Sequence, residues 1–184
     1  MKHKLFCILG RTATGKSTLS HIVAQKLGLK VLVSYATRPM RKGETEYTDH
    51  IFISNVEVDN YRDDIIAYTK IGEYEYFATK QQLLESDIYV IDPAGLYELI
   101  LKSKDMDIDV IPIYITVPYL HRNQFVKKRK DDKEVYQKRV DAEDRQFTDF
   151  EKSNMIAYRV LNDSSLDDVA NKITRIIHKE YQKG

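Results

Sequence analysis

The sequence predicts an α/β fold in which a parallel sheet is covered by helices on both faces. Three observations lead there. Apolar runs of strand length alternate with segments of helical periodicity along most of the 184 residues. A glycine-rich loop, Gly10 to Ser17, stands between the first such run and the first helical segment. The composition, 42% hydrophobic and 31% charged, is that of an ordinary globular chain long enough to bury a sizeable core.

Taken in order, strands are expected near 4–9, 30–34, 88–92, 109–117 and 157–161. Helices are expected near 16–27, 79–86, 94–104, 118–129, 133–152 and 165–181. Leu5-Phe6-Cys7-Ile8-Leu9 is a continuous apolar run, and Thr18 to Ala24 continues as a helix. Asp163-Ser164-Ser165 before Leu166 looks like the capped start of the last helix. Two segments break the alternation. Residues 35–78 hold short extended pieces (Ile51 to Ile53, Ile65 to Tyr68) and many tyrosines, which predicts a small inserted lobe with antiparallel strands. Residues 127–145 are highly charged.

Gly10-Arg11-Thr12-Ala13-Thr14-Gly15-Lys16-Ser17 is a complete G-x-x-x-x-G-K-S phosphate-binding loop in the strand–loop–helix context that the motif requires. Its glycines let the backbone curl until successive N–H groups point at an anion, and the next helix adds its N-terminal partial charge. Lys16 is expected to reach the β- and γ-phosphates of a nucleoside triphosphate and Ser17 to ligate Mg2+, with Gly10 through Thr18 forming the site. A plain glycine turn would leave the Lys16-Ser17 pair without a role.

A net charge of +1 sets up no global field to recruit nucleic acid or an anionic membrane. Cys7, the single cysteine, excludes an internal disulfide and a cysteine-rich zinc site, and reads as a small core residue. Met1-Lys2-His3-Lys4 and the five apolar residues after it are too short for a signal peptide or membrane span, so a soluble cytoplasmic protein is expected. His3, His21, His121 and His178 have no ligand-like spacing.

After Val31-Leu32-Val33 comes Ser34-Tyr35-Ala36-Thr37-Arg38-Pro39-Met40-Arg41-Lys42-Gly43-Glu44. Pro39 and Gly43 restrict and turn the chain around Arg38 and Arg41, two guanidinium forks that can clamp one phosphate. From composition alone, a solvated basic turn is the plainer reading. With the phosphate loop upstream, however, this stretch resembles the phosphate-gripping segment of guanylate kinases. The resemblance continues through Asp49-His50-Ile51-Phe52, Tyr76-Phe77-Ala78-Thr79, Ile91-Asp92-Pro93-Ala94-Gly95, the arginines Arg129 and Arg139, and Asn162-Asp163. It implies one domain with a three-layer P-loop NTPase fold. Its parts would be a core (about 1–34, 79–126 and 146–184), a mixed α+β acceptor-binding lobe (about 35–78) and a helical lid (about 127–145).

The resemblance also implies an enzyme that transfers the ATP γ-phosphoryl group to GMP or dGMP with Mg2+. Lys16 and the loop amides would then hold the donor, Ser17 the Mg2+, and Ser34, Arg38, Arg41, His50 and Tyr76 the acceptor. Arg129 and Arg139 would enter from the lid as catalytic arginines, although Asp131, Asp132 and Glu134 interleave with that basic run as on a solvated helical face. Asp92 keeps three readings: sensing Mg2+ through water, touching the acceptor base, or capping a helix.

Departures from the family bear on the base. Its base-reading glutamate falls at Ala67, with Glu73 or Glu75 as nearby substitutes. A hydroxyl is lost at Ala78, a tyrosine becomes His50, and the first aspartate of Asp-x-Asp becomes Val90. Phosphate capture is therefore expected intact while base identity stays open. Tyr68, Tyr74 and Tyr76 read either as a base-stacking wall or as amphipathic filling at the lobe's edge. Alternatives are a kinase of ribose 1,5-bisphosphate or another nucleoside monophosphate, or a non-catalytic binding module. The expected partners are small nucleotides, with the chain a monomer or homodimer.

Overall fold

The computed structural model describes residues 2–41, 43–48, 50–118 and 133–183, with side chains in the last span described from residue 143 onward. Strand β1 (His3–Leu9) lies at its centre. Successive side chains of a strand point to opposite faces, so Leu5, Cys7 and Leu9 enter one apolar layer and Phe6 and Ile8 the other. A strand apolar on both faces needs cover on both. β1 pairs in parallel with β6 (Ile88–Val90) and with β7 (Ile108–Thr116), and β8 (Tyr158–Leu161) adds in parallel to β7. The order is β6-β1-β7-β8.

Helices α1 (Lys16–Leu27) and α5 (Leu166–Gln182) cover one face, with Leu19 and Val23 meeting Val169, Ile173 and Ile177. Helices α3 (Pro93–Lys102) and α4 (Lys133–Lys152) cover the other through Leu96, Leu99, Phe147 and Phe150. This is the expected three-layer arrangement. The starts of α2 (Lys80–Leu84), α3 and α5 are capped by the side chains of Thr79, Asp92 and Ser165, each accepting a backbone N–H of the first turn. Ser165 thus caps the last helix as its sequence predicts. At α1 no side chain plays that part, and the helix begins directly at Gly15.

A second sheet, order β3-β2-β5-β4, is formed by β2 (Tyr35–Ala36), β3 (Ile51–Phe52), β4 (Ile65–Ile71) and β5 (Tyr74–Thr79). β4 and β5 make an antiparallel hairpin, whereas β2 and β3 run parallel, so the sheet is mixed rather than purely antiparallel. A 3₁₀ segment, Glu57–Asp64, precedes β4, and Val58, Ile65 and Phe77 form a small core there.

The strand expected over 30–34 is corrected. Val31 makes one isolated parallel bridge to Ile88, and the chain then leaves the main sheet. The reason is where the next carbonyls go: Val33 C=O accepts the Gln82 side chain at 2.8 Å, and Ser34 C=O accepts the Ile51 N–H at 3.0 Å. The helix expected over 118–129 lies, beyond Pro118, outside the described residues.

Phe150 is fully buried and meets the Tyr114 and Phe147 rings edge-on at 5.7 and 6.2 Å. Phe150→Ala should cost about 3–5 kcal/mol by denaturant unfolding. A loss of under about 1 kcal/mol would show that α4 is not part of the core that this packing describes.

Candidate active site

The carboxyl ends of β1, β6 and β8 bring the phosphate loop, Asp92 and Asn162 to one edge of the parallel sheet, where ligands of open α/β sheets bind. The loop's shape depends on bare glycines. A Cβ at Gly10 would lie 2.6 Å from both the Ile115 C=O and Thr14 Oγ1. Gly15 has φ +86°, and a Cβ there would stand 3.0 Å from Asn162 Nδ2. Behind the loop, the buried Asn162 amide donates to Thr14 C=O at 3.0 Å. The Thr14 hydroxyl and Lys16 Nζ both donate to Arg11 C=O, at 2.9 and 3.0 Å. These bonds tie back the loop's carbonyls, the groups that would repel an anion.

A cavity of about 480 Å3 opens at this edge. The loop lines it with Gly10, Thr12, Lys16 and Ser17; Ser34, Arg38, Arg41, His50, Tyr76 and Asp92 line it as well. The expected donor lysine and every expected acceptor residue therefore border one space. Arg11 differs from its loop neighbours. Its guanidinium turns to α4, pairing with Asp144 and with Glu151 at 3.2 Å and lying 5.5 Å over the Phe147 ring. Arg129 is outside the described residues, and Arg139 lies on α4 ahead of the first described side chain.

On the acceptor side, Arg38 is buried, with its terminal nitrogens on the two Glu44 oxygens at 2.6 and 2.7 Å and its charge 5.2 Å over the Phe52 ring. Arg38 Nε is buried with no hydrogen-bond partner among the described residues. Arg41 is the more open of the pair, its side chain 32% exposed. The two forks are thus unequal rather than a symmetrical clamp. Glu44 also accepts the Arg41 N–H at 2.8 Å. Burial opposes charge at both Arg38 and Glu44, but their pairing outweighs it, raising the arginine and lowering the carboxyl from their ordinary values. Ser34 Oγ and His50 Nδ1 share a hydrogen bond of 3.1 Å, and the His50 ring meets Tyr76 edge-on.

Asp92 Oδ1 accepts the Gly95 N–H and the Thr69 hydroxyl, each at 2.8 Å. The capping reading is therefore realised, by a side chain that also borders the cavity. Burial pushes its carboxyl above the ordinary range, while the bonds from Gly95 and Thr69 and the charge of Lys16 pull the other way.

The base wall departs from expectation. Ala67 and Ala78 pair across β4 and β5 and are both packed in the core, so neither borders the cavity. The register shift between Ile65 and Ala67 leaves Thr69 as the polar residue that β4 delivers to Asp92. Glu73 sits exposed in the hairpin turn and Glu75 accepts Arg62 at 2.9 Å; neither lines the cavity. Tyr68 and Tyr76 do line it, and Tyr74 does not. Sequence reasoning missed Thr69 and also Glu143, which reaches the loop from α4. A one-residue register and a contact between segments far apart in the chain leave no local signal. Among the described residues, no three or more His, Cys, Asp or Glu gather as a metal site.

The family model described as guanylate kinase matches residues 2–180. A guanylate kinase from Anaplasma phagocytophilum is 26% identical over 182 residues, 92% of this chain and 83% of that protein. One from Fusobacterium nucleatum is 30% identical over 83 residues, which is 44% of this chain and 45% of its own length. The crystal structure of the guanylate kinase from Anaplasma phagocytophilum shares the fold with a TM-score of 0.70 at 19% identity, covering 97% of this chain and 87% of that one.

Two stability measurements follow from this geometry. Ala67→Glu would bury an unpaired carboxylate in the core and should lower stability by about 3 kcal/mol or more; a variant as stable as wild type would put residue 67 at the cavity after all. With the Asp92 carboxyl raised in the folded state, the folded chain loses stability as pH climbs through the carboxylate range. Asp92→Asn keeps an acceptor for Gly95 and Thr69 but no charge, so its Tm relative to wild type should rise from acid to neutral pH. A pH-independent difference would mean that burial does not perturb this group.

Proposed function

The chain belongs to the guanylate kinase family, a family of phosphotransferases, and we propose that it transfers the γ-phosphoryl group of ATP to GMP or dGMP with Mg2+ as a cytoplasmic enzyme. The observation that carries this reading is the single cavity bordered by Lys16 and Ser17 on one side and by Ser34, Arg38, Arg41, His50 and Tyr76 on the other. Two anion-gripping elements facing one space suit a reaction between two phosphorylated molecules.

In that reaction a phosphate oxygen of the acceptor forms the new P–O bond as the bond to the ADP oxygen breaks. The acceptor brings its own nucleophile, so no serine, cysteine or histidine nucleophile is needed. The protein's task is positioning and charge balance. The loop amides and Lys16 hold the donor; Arg41, the Arg38–Glu44 pair and the Ser34–His50 pair orient the acceptor phosphate. The Ser17 hydroxyl is a hard oxygen ligand suited to Mg2+, an ion that usually shares its remaining ligands with phosphates and water, and when bound it would neutralise phosphate charge. Arg129 and Arg139 belong to the same proposal as lid arginines, as does the division into core, acceptor lobe and lid. Small nucleotides, rather than nucleic acid, are its partners. Among the described residues no helix is long and apolar enough to cross a membrane.

A second reading has one observation in its favour. No glutamate of the β4–β5 hairpin borders the cavity; the hairpin brings Tyr68, Thr69 and Tyr76 to it beside Asp92. An acceptor held mainly by its phosphate, such as ribose 1,5-bisphosphate or a different nucleoside monophosphate, fits such a wall.

A coupled assay across GMP, dGMP, AMP and ribose 1,5-bisphosphate separates the two, and absence of ADP release with any guanine nucleotide would remove the leading acceptor. Lys16→Ala should lower kcat by about 100-fold or more with the circular dichroism spectrum unchanged. Arg41→Ala should raise the acceptor KM about tenfold and the ATP KM by less than about twofold. Equal effects on both would undo the assignment of Arg41 to the acceptor.

A further inference from the structure

Helix α4 reaches the phosphate loop with carboxylates. Glu143 Oε2 accepts the Thr12 N–H at 2.7 Å, and Oε1 of the same carboxylate accepts the Thr12 hydroxyl. Asp144 and Glu151 both hold Arg11. One helix therefore grips two consecutive residues of the loop, but the two grips differ in kind. Asp144 and Glu151 meet a guanidinium, so each charge finds its opposite. Thr12 brings no charge. Its N–H and hydroxyl are neutral donors in a loop whose amides serve anions, and the anion on them is a side chain of this protein. Glu143 and Thr12 also line the same cavity as Lys16 and Ser17.

We infer that the Glu143 carboxylate and the terminal phosphate of the donor contend for the Thr12 N–H and hydroxyl, so that Glu143 sets the affinity for a triphosphate relative to a diphosphate. The amides beside the start of α1 serve the inner phosphates, together with the helix N-terminus. Thr12 lies upstream of the Gly15 turn on the side facing α4, where only the outermost phosphate of a longer chain arrives. A bound triphosphate takes the Thr12 donors from Glu143, while the Arg11 pairs with Asp144 and Glu151 continue to hold α4 to the loop. Glu143 is in this sense a positioning residue: it acts through Thr12 and α4, not on the reacting atoms. The inference rests on the loop being the donor site.

Calorimetric titration of the full chain with Mg2+-ATP and with Mg2+-ADP tests it in wild type, Glu143→Gln and Glu143→Asp. The glutamine removes the charge; the aspartate keeps the charge but shortens the reach by one methylene. Both variants should bind ATP about five- to tenfold more tightly than wild type, with ADP affinity within about twofold. Unchanged or weaker ATP binding in both would overturn the competition. So would equal gains for ATP and ADP. A gain confined to Glu143→Gln would assign the effect to the general field of the carboxylate instead of the contact, and overturns it too. A wild-type chain that binds neither nucleotide would remove the donor-site reading itself, and this inference with it. Thermal unfolding of each variant confirms that the comparison is between folded proteins.

Discussion

The site depends on one constraint: a loop of main-chain amides must stay curled at the open edge of a parallel sheet with its carbonyls turned to other business. A peptide presents as much acceptor as donor, so a loop left to itself offers an anion no advantage. Here Asn162 from the end of β8 takes up Thr14 C=O, and Thr14 and Lys16 side chains take up Arg11 C=O. Gly10 admits the Ile115 carbonyl where any Cβ would collide with it. The anion seat is thus built by β1, β7 and β8 together. It exists only once the sheet has formed, which is why a short motif needs the whole fold behind it.

Charge balance is the second requirement. The cavity gathers the cations Lys16, Arg38 and Arg41, and unpaired cations in a partly buried space are costly. The structure meets this by giving each a carboxylate near at hand: Glu44 for Arg38 and Arg41, Asp144 and Glu151 for Arg11, Asp92 within electrostatic reach of Lys16. The partners are not equally committed. Arg38 is buried in a bidentate pair over Phe52, which fixes its place but leaves less of it to give; Arg41, about a third exposed, has more freedom to meet a ligand. Such pairing holds the guanidiniums in place, so that on the proposed function less ordering would be left for a phosphate to impose.

How much of this was legible in the residues follows from the range of each interaction. The loop motif, the cap at Ser165 and the continuous apolar run of β1 are local, and the sequence is enough to read them, while the cap at Asp92 is one of three readings it leaves open. The Arg38–Arg41 stretch is local too, and its neighbour Glu44 lies within the same run. What escaped reading was set by distant partners. Val31 to Ser34 has strand composition, yet beyond Leu32 its carbonyls turn to the Gln82 side chain and to Ile51 of β3 instead of continuing along β6. Ala67 stands two residues before Thr69 on the same face of β4, and which of them packs in the core and which meets Asp92 is set by what lies opposite each in space. The charged run that continues into α4 reads as solvated because its partners Arg11 and Thr12 lie more than a hundred residues earlier.

Two boundaries of the fold share a common design. The β4–β5 hairpin meets the sheet edge through the Thr69 hydroxyl on Asp92, and α4 meets it through Glu143 and Asp144 on the loop. In two of these attachments, Asp92 with Thr69 and Glu143 with Thr12, a carboxylate holds donors of a residue that borders the cavity. Such bonds differ from apolar packing in one respect: an anionic ligand offers the same donors an equivalent partner, so a bond can be exchanged at small net cost. Apolar contacts such as Phe147 and Phe150 against Tyr114 have no equivalent substitute and stay as they are. Both kinds of contact tie α4 and the hairpin to the rest of the fold, and on the proposed function only the polar ones can be exchanged for a ligand.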